Sequence, residues 1–496
     1  MQQLLCPQCG ASVRFESPGA VMVVCAACRS TLTRDAQAAR RIGHMADLVE
    51  DGSVVQLGTR GRAGQLGFHV LGRLRLRYDA GAWNEWYIAF DDGTYGWLSD
   101  ADAHYAVTRR DESIDSAQLL PFEELRAGGP VKLAGLLYTV SDIRPRCHCI
   151  GGEGELPLQA GDGWDARVVD ARRESSFVTI DYSDDAPVVY SGTAGEIEFD
   201  AGTLRTKEDI ADSTGRYRGQ MLPLDCPNCA GTVNIAVAMA TQVVCPSCSS
   251  LLDCSGDRAE IIEANRRVAR FTTTIPMGAR GKIGAVEYDV IGIMRCDVPD
   301  AAGEPDWTEY LLFNPQRGYL WLVQTQEGWQ SVTVCDAWPA VTNDASARWG
   351  NRTWTRRYAY ASRVEQVFGA FNWRVQRGDT SQIVDFACNN DMLTREQSGD
   401  EVVWLHAVRI SATTVARAFG LPTPRQTLPT RAEADPETDD EAGELITIGV
   451  VATMLLFILS EEISAVAMFF GIALVWLPLW MTGQITSFLQ GEAAED

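Results

Sequence analysis

Histidine is scarce in this 496-residue chain: there are five, His44, His69, His104, His148 and His406. None stands beside a nucleophile in a recognisable arrangement, and the patterns G-x-S-x-G and H-E-x-x-H do not occur. The commonest serine-hydrolase and zinc-protease readings are thereby removed. A P-loop is missing as well. Residues 278–284 (GARGKIG) carry a Gly-Lys pair, but Ile283 replaces the hydroxyl that would hold Mg²⁺, and Pro276 stands where the first glycine belongs. That stretch reads as a β-turn. Positive charge is also in short supply, with 43 Lys and Arg against 66 Asp and Glu and a formal net charge of −23. Phosphate backbones are gripped through a cationic footprint. Arg14, Arg29, Arg34, Arg40 and Arg41 make only the first cysteine-rich segment mildly basic. Nucleic acid is therefore not the expected partner.

What the chain does have is a four-cysteine pattern that occurs twice. Cys6, Cys9, Cys25 and Cys28 read C-x2-C-x15-C-x2-C, and Cys226, Cys229, Cys245 and Cys248 repeat that spacing 220 positions later. A C-x2-C turn lets two thiolates converge on one ion, and fifteen residues suffice for a hairpin that returns the second pair. Pro7 and Pro227 pre-set φ for each first turn, and Gly10 or Ala230 relieves crowding after it. Val21, Val23 and Val24, like Val243 and Val244, supply β-branched strands leading into the second turn. Disulfides, iron and redox chemistry compete with zinc for this pattern. Its repetition at fixed spacing favours two structural Zn²⁺ ions, each closed by four thiolates with no open position for water. The other six of the fourteen cysteines (Cys147, Cys149, Cys254, Cys296, Cys335, Cys388) show no pairing logic, which points to a reducing compartment. Cys147-His148-Cys149 invites a third metal or redox reading, but it has no second ligand pair and no counterpart in the other half.

The same offset continues past the cysteines. Gly58-Thr59-Arg60-Gly61-Arg62 aligns with Gly278-Ala279-Arg280-Gly281-Lys282, and Phe68-His69-Val70-Leu71-Gly72 with Tyr288-Asp289-Val290-Ile291-Gly292. At an offset of 224, Trp83-Asn84-Glu85-Trp86 matches Trp307-Thr308-Glu309-Tyr310, and Tyr95-Gly96-Trp97-Leu98 matches Tyr319-Leu320-Trp321-Leu322. Val168-Val169-Asp170 resembles Ile383-Val384-Asp385. Period-2 runs broken by Gly and Asp turns mark both copies as β. The expected architecture is mainly β: zinc ribbon 1 (1–33), β domain 1 (45–215), zinc ribbon 2 (220–255) and β domain 2 (268–420). Each domain should be a small barrel or sandwich. Residues 31–50 and 257–270, rich in Ala, Arg and Glu, predict short connecting helices. Arg73, Arg75 and Arg77 alternate with Leu74, Leu76 and Tyr78, so the arginines are expected on a solvated outer face. The matched Trp and Tyr residues read as core, with a ligand-gripping aromatic surface as the alternative.

Residues 421–444 carry prolines and carboxylates with few apolar side chains, the composition of a flexible linker. Residues 445–460 and 463–481 are then free of charge, separated by Glu461-Glu462. Both approach the length needed to cross a bilayer. A helical hairpin over 445–485, with the glutamates at its exposed turn, avoids placing them mid-membrane. A single span with the first segment in the interface is the alternative. Lys and Arg do not flank either segment, so charge gives no orientation. The free thiols, with a start at Met1-Gln2-Gln3 that lacks a signal peptide, lead to the expectation of a cytoplasmic body on the inner membrane of a bacterium.

The ribbon, the G-x-R-G-[RK] turn, the W-x-E-[WY] strand, the Tyr-x-Trp-Leu hairpin, and residues 152–157 (GEGELP) followed by Val169-Asp170 and Thr179-Ile180-Asp181-Tyr182 together resemble the bacterial DUF4178 family, a domain of unknown function. The resemblance covers nearly the whole soluble body, once per half, with GEGELP in the first copy alone. It implies a genomic context of membrane-stress and polyamine-related systems and assigns no catalytic residue. The expected function is a non-enzymatic, membrane-tethered adaptor that meets protein partners through its duplicated modules. The alternative is an amine- or polyamine-binding sensor, or an enzyme, using the acidic turns at Glu153, Glu155 and Asp181, with Asp184 and Asp185 beside them.

Overall fold

A computed structural model of the chain describes residues 2–35, 38–45, 52–79, 81–101, 103–159, 165–195, 197–206, 208–210, 224–230, 232–233, 242–245, 250–253, 260–263, 273–299, 307–314 and 316–422. The linker from residue 423 onward and the two apolar segments expected to meet the membrane lie outside them. Among the described residues no helix is long and apolar enough to cross a membrane. Residues 1–423 form one compact unit.

The protein is mainly β. The first copy contains β1 (Leu66–Arg77), β2 (Ala82–Phe90), β3 (Tyr95–Ala101), β4 (His104–Arg110), β5 (Leu136–Leu156), β6 (Asp165–Arg173), β7 (Ser176–Asp181) and β8 (Val188–Ala194). All neighbours are antiparallel, in the order β1-β2-β3-β4-β8-β7-β6-β5. Cys149 to Gly154 on β5 then pair back with Leu76 to Gly72 on β1, which closes the ladder. The second copy repeats this order with β9 (Val286–Asp297), β10 (Trp307–Asn314), β11 (Gly318–Thr325), β12 (Gly328–Val334), β13 (Arg352–Phe371), β14 (Thr380–Cys388), β15 (Asp391–Ser398) and β16 (Glu401–Ile410), closed by β13 on β9. Each copy is thus an eight-stranded barrel, a form that leaves the ladder no open edge. A short helix, α1 (Ala412–Phe419), capped by Ser411 and ended by Gly420 at φ 64°, lays Val415 and Phe419 against the second barrel.

A smaller repeat is nested inside the larger one. Each barrel is two meanders, and each meander opens with a hairpin whose two-residue turn joins Ala63 to Leu66, Leu133 to Leu136, Ile283 to Val286, or Trp349 to Arg352. The first turn residue has positive φ in all four: Gly64, Ala134, Gly284 and Gly350. In three of them the same clasp follows. Val70, Val140 and Val290 each accept from the glycine N–H at the hairpin base (Gly58, Gly128, Gly278) and donate to the next carbonyl.

The expected helices at 31–50 and 257–270 are corrected where those segments are described, residues 36–37, 46–50, 257–259 and 264–270 lying outside the described residues. Ser30–Asp35, Ala38–His44 and Glu260–Glu263 are strands. Thr31 to Thr33 pair with Met22 to Val24 on one side and with residues 40–43 on the other, so ladder pairing outweighs the helix propensity of Ala and Arg. GEGELP is not a turn either: Gly152 to Leu156 complete β5 between β1 and the ribbon strand Met22–Val24. The arginine stripe does not lie on a solvated face at its first member. Arg73 is 2% exposed, sits 4.8 Å over the Trp86 ring and donates from Nε to Asn84 Oδ1 at 2.9 Å.

The two copies touch along specific seams. Ile143 N–H donates to Asp400 O at 3.0 Å, Trp338 N–H to Glu174 O at 2.9 Å, and His104 Nδ1 lies 2.9 Å from Asp336 Oδ1.

Candidate metal centres and barrel interiors

Cys6, Cys9, Cys25 and Cys28 bring their sulfurs within 4.8 Å of one another. The Cys6–Cys28 and Cys9–Cys25 separations are both 3.7 Å. Four thiolates around one ion at about 2.3 Å have tetrahedral edges of roughly 3.8 Å, so this donor set fits zinc. Backbone bonds shape each half of the site: Gly10 N–H donates to Cys6 O, Cys6 N–H to Ala11 O, Arg29 N–H to Cys25 O and Cys25 N–H to Ser30 O. The Ser30 hydroxyl and N–H beside Cys28 pull its thiol down to about 6, towards the thiolate a metal requires. In the second copy Cys226, Cys229 and Cys245 converge in the same way, with Cys229 and Cys245 sulfurs 3.8 Å apart. Cys248 lies outside the described residues.

The first ribbon is bolted to its barrel. Its strand Met22–Val24 pairs with Leu156 to Gly154 of β5, and Arg29 Nη2 donates to Gly152 O at 2.7 Å. Glu155, 4% exposed, accepts from Glu16 N–H and, at 2.8 Å, from Ser17 N–H. This expected ligand residue is therefore committed to holding the ribbon. Glu153 forms an ion pair with Arg73 at 3.5 Å. Asp181 accepts from Ser183 N–H at 2.9 Å where β7 ends, and Asp184 and Asp185 follow in an exposed turn. Glu153, Glu155 and Asp181 are thus not brought into one site. In the second copy the strand Gln242–Val244 pairs with β13 at Phe371 to Gly369, so Ala370 occupies the place of Glu155. Gly154 (φ 71°) and Gly369 (φ 88°) mark the shared joint. A Cβ there would fall 2.3 Å from the Leu71 or Ile291 carbonyl oxygen, which admits only glycine.

Cys147-His148-Cys149 does not make a third centre. Cys147 and Cys149 are buried, and burial pushes the Cys147 thiol up to about 12, while His148 pairs with Asp165.

The lumen of each barrel holds what the sequence reading passed over. In the first, Trp83 Nε1 donates to Glu85 Oε1 at 2.7 Å, and the Ser99 hydroxyl lies 2.9 Å from both Glu85 oxygens. Glu85 on β2 also feels Asp170 on β6 and Arg144 on β5, which it meets only across the interior. Burial lifts its carboxyl to about 7. Arg144 fills the space beside it: its guanidinium lies 4.2 Å over Trp83 and 4.8 Å over Tyr78, pairs with Asp142, and stands 3.9 Å from Asp170. Asp170 in turn accepts from Thr179 Oγ1 at 2.6 Å.

The second lumen repeats part of this. Trp307 Nε1 donates to Glu309 Oε1 at 2.6 Å, and Thr394 Oγ1 donates to Asp385 Oδ1 at 2.6 Å. Burial first, and Glu396 second, lift Glu309 to about 7. Burial also raises Glu396 and Asp385. The residue in register with Arg144 is different: Arg144 pairs with Val168, and Tyr360 pairs with the matching Ile383. Tyr360 packs edge-on to Trp307 at 6.1 Å, and its hydroxyl acts on Asp385 to favour the ionised carboxylate, against the effect of burial. Glu396 takes the register place of Asp181. The signal for these sites was present in the sequence as Trp-x-Glu, a carboxylate two residues from a matched tryptophan on a strand otherwise apolar on that side.

The chain matches the family described as a domain of unknown function, DUF4178, over residues 56–196 and again over 276–412. Those bounds coincide with the two barrels. No curated protein and no solved structure matches it. The chain belongs to the DUF4178 family and carries that domain in tandem duplicate.

Proposed function

We propose that this protein is a non-enzymatic adaptor, braced by two structural zinc ions and tethered to a membrane by its apolar C-terminal segments. One observation carries the reading: the first cysteine cluster is closed by four sulfurs and spliced by its own strand into a barrel. A site with four thiolates and no open position holds shape rather than activates water. The working surfaces are then the barrels, and two of them on one tether suit a repeated or oligomeric partner. The inner membrane of a bacterium, with the body in the cytoplasm, suits a chain with this many free thiols. Cross-linking of the intact chain in native membranes, followed by detergent extraction, tests this. Recovery of a defined partner, lost when residues 445–485 are deleted, is the expected result. A chain that stays soluble without detergent and captures nothing would refute it.

The carboxylates of the barrel interiors favour a second reading, a sensor for an amine or another organic cation. Its residues are those of the lumen, Glu309 above all, in place of Glu153, Glu155 and Asp181. Calorimetry with spermidine on the full-length protein, with and without Glu309→Gln, separates this reading from a purely structural role for the lumen.

A further inference from the structure

The two lumens differ in one respect that chemistry must answer. In the first, the carboxylates Asp142 and Asp170 are met by the chain's own guanidinium, Arg144, which lies flat over Trp83 and Tyr78. In the second, the matching position is Tyr360, a neutral side chain, while the neighbouring strand keeps a carboxylate, Glu396, in the register place of Asp181. The groups among the described residues that act on Glu309, Glu396 and Asp385 are one another, Glu401, and the neutral donors Trp307, Ser381, Thr394 and Tyr360. Among the described residues, none of the three forms an ion pair. The aromatic wall is retained and extended: Trp307 and Tyr360 meet at 6.1 Å, and Trp321 lies 5.4 Å from Trp373. Trp307, Glu309, Tyr360 and Glu396 all keep part of their surface accessible.

An acidic cluster alone would mean little. Here the other copy supplies the second observation, because an equivalent Trp-x-Glu and Asp-Thr frame is seen with a cation seated in it. We propose that the second barrel binds a guanidinium group brought by a separate molecule, seated against Trp307 as Arg144 is seated over Trp83 in the first, with Asp385, Glu309 and Glu396 as the carboxylates that face it. Carboxylates on the rim and aromatic faces at the sides are the two means by which proteins hold a planar, weakly hydrated cation. The first barrel is self-filled and the second receptive, so the stoichiometry is one ligand per chain. This inference rests on the cation-sensor reading and narrows its ligand class.

Calorimetry of the full-length protein in detergent, with methylguanidinium and n-butylammonium as separate probes, decides it. The expected result is binding of methylguanidinium at one site per chain. Glu309→Gln and Glu396→Gln should each weaken it at least tenfold. Tyr360→Arg, which gives the second lumen a cation of its own as the first has, should abolish it, and thermal melting establishes that each variant is folded. Binding of butylammonium alone would overturn the guanidinium assignment and leave the cation reading standing. Silence from both probes would overturn both, and so would unchanged affinity in the three folded variants. Two sites per chain would overturn the self-filled first barrel.

Discussion

The Arg144 guanidinium lies 4.2 Å over the ring of Trp83 in the first barrel, and in the second the residue in its register, Tyr360, meets the matching Trp307 edge-on at 6.1 Å. One duplication has therefore produced two interiors from nearly the same frame, the first with a cation of its own among its carboxylates and the second with a neutral ring in that place.

Removing the guanidinium should be costly. Arg144, Asp142 and Asp170 have side chains only 14%, 10% and 14% exposed. Breaking a buried ion pair from one side leaves an uncompensated charge and typically costs about 3–5 kcal/mol. Arg144→Leu is therefore expected to destabilise the protein by roughly that amount. Urea denaturation followed by tryptophan fluorescence reads the change, and a loss below about 1 kcal/mol would place the pair among those of little consequence.

The second barrel makes a pH-dependent prediction. Burial raises Glu309 to about 7 from an ordinary value of 4.5. A carboxyl whose folded pKa lies above its unfolded one contributes stability in full below the unfolded value, and that contribution is lost as pH rises through the folded value. Without a bound cation, the wild-type protein should lose stability between about pH 4.5 and 7. In Glu309→Gln that part of the slope should vanish, since the amide does not titrate. Melting temperatures at pH 5, 6, 7 and 8 for both proteins compare the slopes directly.

Glu155 predicts a local effect. Its two oxygens satisfy the N–H groups of Glu16 and Ser17, and Ser17 is itself 3% exposed. Hydrogen bonds to a charged group contribute about 1.5–3 kcal/mol each, and an orphaned buried N–H adds its own penalty. Glu155→Ala should loosen the first ribbon from its barrel while leaving the second untouched, because Ala370 already stands there. Hydrogen exchange is expected to speed up in residues 12–24 and to stay unchanged in 369–371. Equal loosening of both halves would contradict the assigned role.

Much of this architecture was legible in the chain, and the exceptions have physical causes. The duplication and the first metal cluster were readable because thiolate spacing and Trp-x-Glu tolerate little drift, so an offset of 220 or 224 survives in the letters. The inner repeat, Val70 against Val140, was not, since it is carried by a turn with positive φ and a backbone clasp that many sequences satisfy. Ser30–Asp35 and Ala38–His44 looked helical because Ala and Arg favour helices locally, whereas long-range pairing with Met22–Val24 decides the outcome. GEGELP looked like a loop because glycine is rare in strands. In β5 the glycines permit the close crossing of β1 and the ribbon, where side chains would collide. The interior carboxylates were hidden for a different reason: nothing in a lone strand says that its polar side faces a lumen and not water.

The metal centres give the last prediction. If each cysteine set holds one zinc ion, the purified protein carries two per chain, and elemental analysis should find Cys25→Ser and Cys245→Ser each reduced to one. The consequences of losing them should differ. The first ribbon is held to its barrel by Glu155, by Arg29 and by the pairing of Met22–Val24, and Met22 and Val24 pack with Leu74, Leu76 and Trp83 of that barrel. Metal loss there withdraws support from a hydrophobic cluster shared with the barrel. The second ribbon strand pairs with β13 at Gly369 to Phe371, with Ala370 in the place of Glu155. Zinc binding contributes roughly 10–16 kcal/mol to the folding of isolated ribbon peptides, so either loss unfolds its own ribbon. Only Cys25→Ser should also lower the melting temperature of the adjoining barrel, and by several degrees, since each kcal/mol shifts a domain of this size by about 2–4 °C. A chelator titration followed by tryptophan fluorescence and circular dichroism should accordingly show two steps, the first barrel reporting on one of them. A single step in which both barrels melt together would mean that the two ribbons are coupled through the seams at Asp400 and Glu174 and do not act as separate braces.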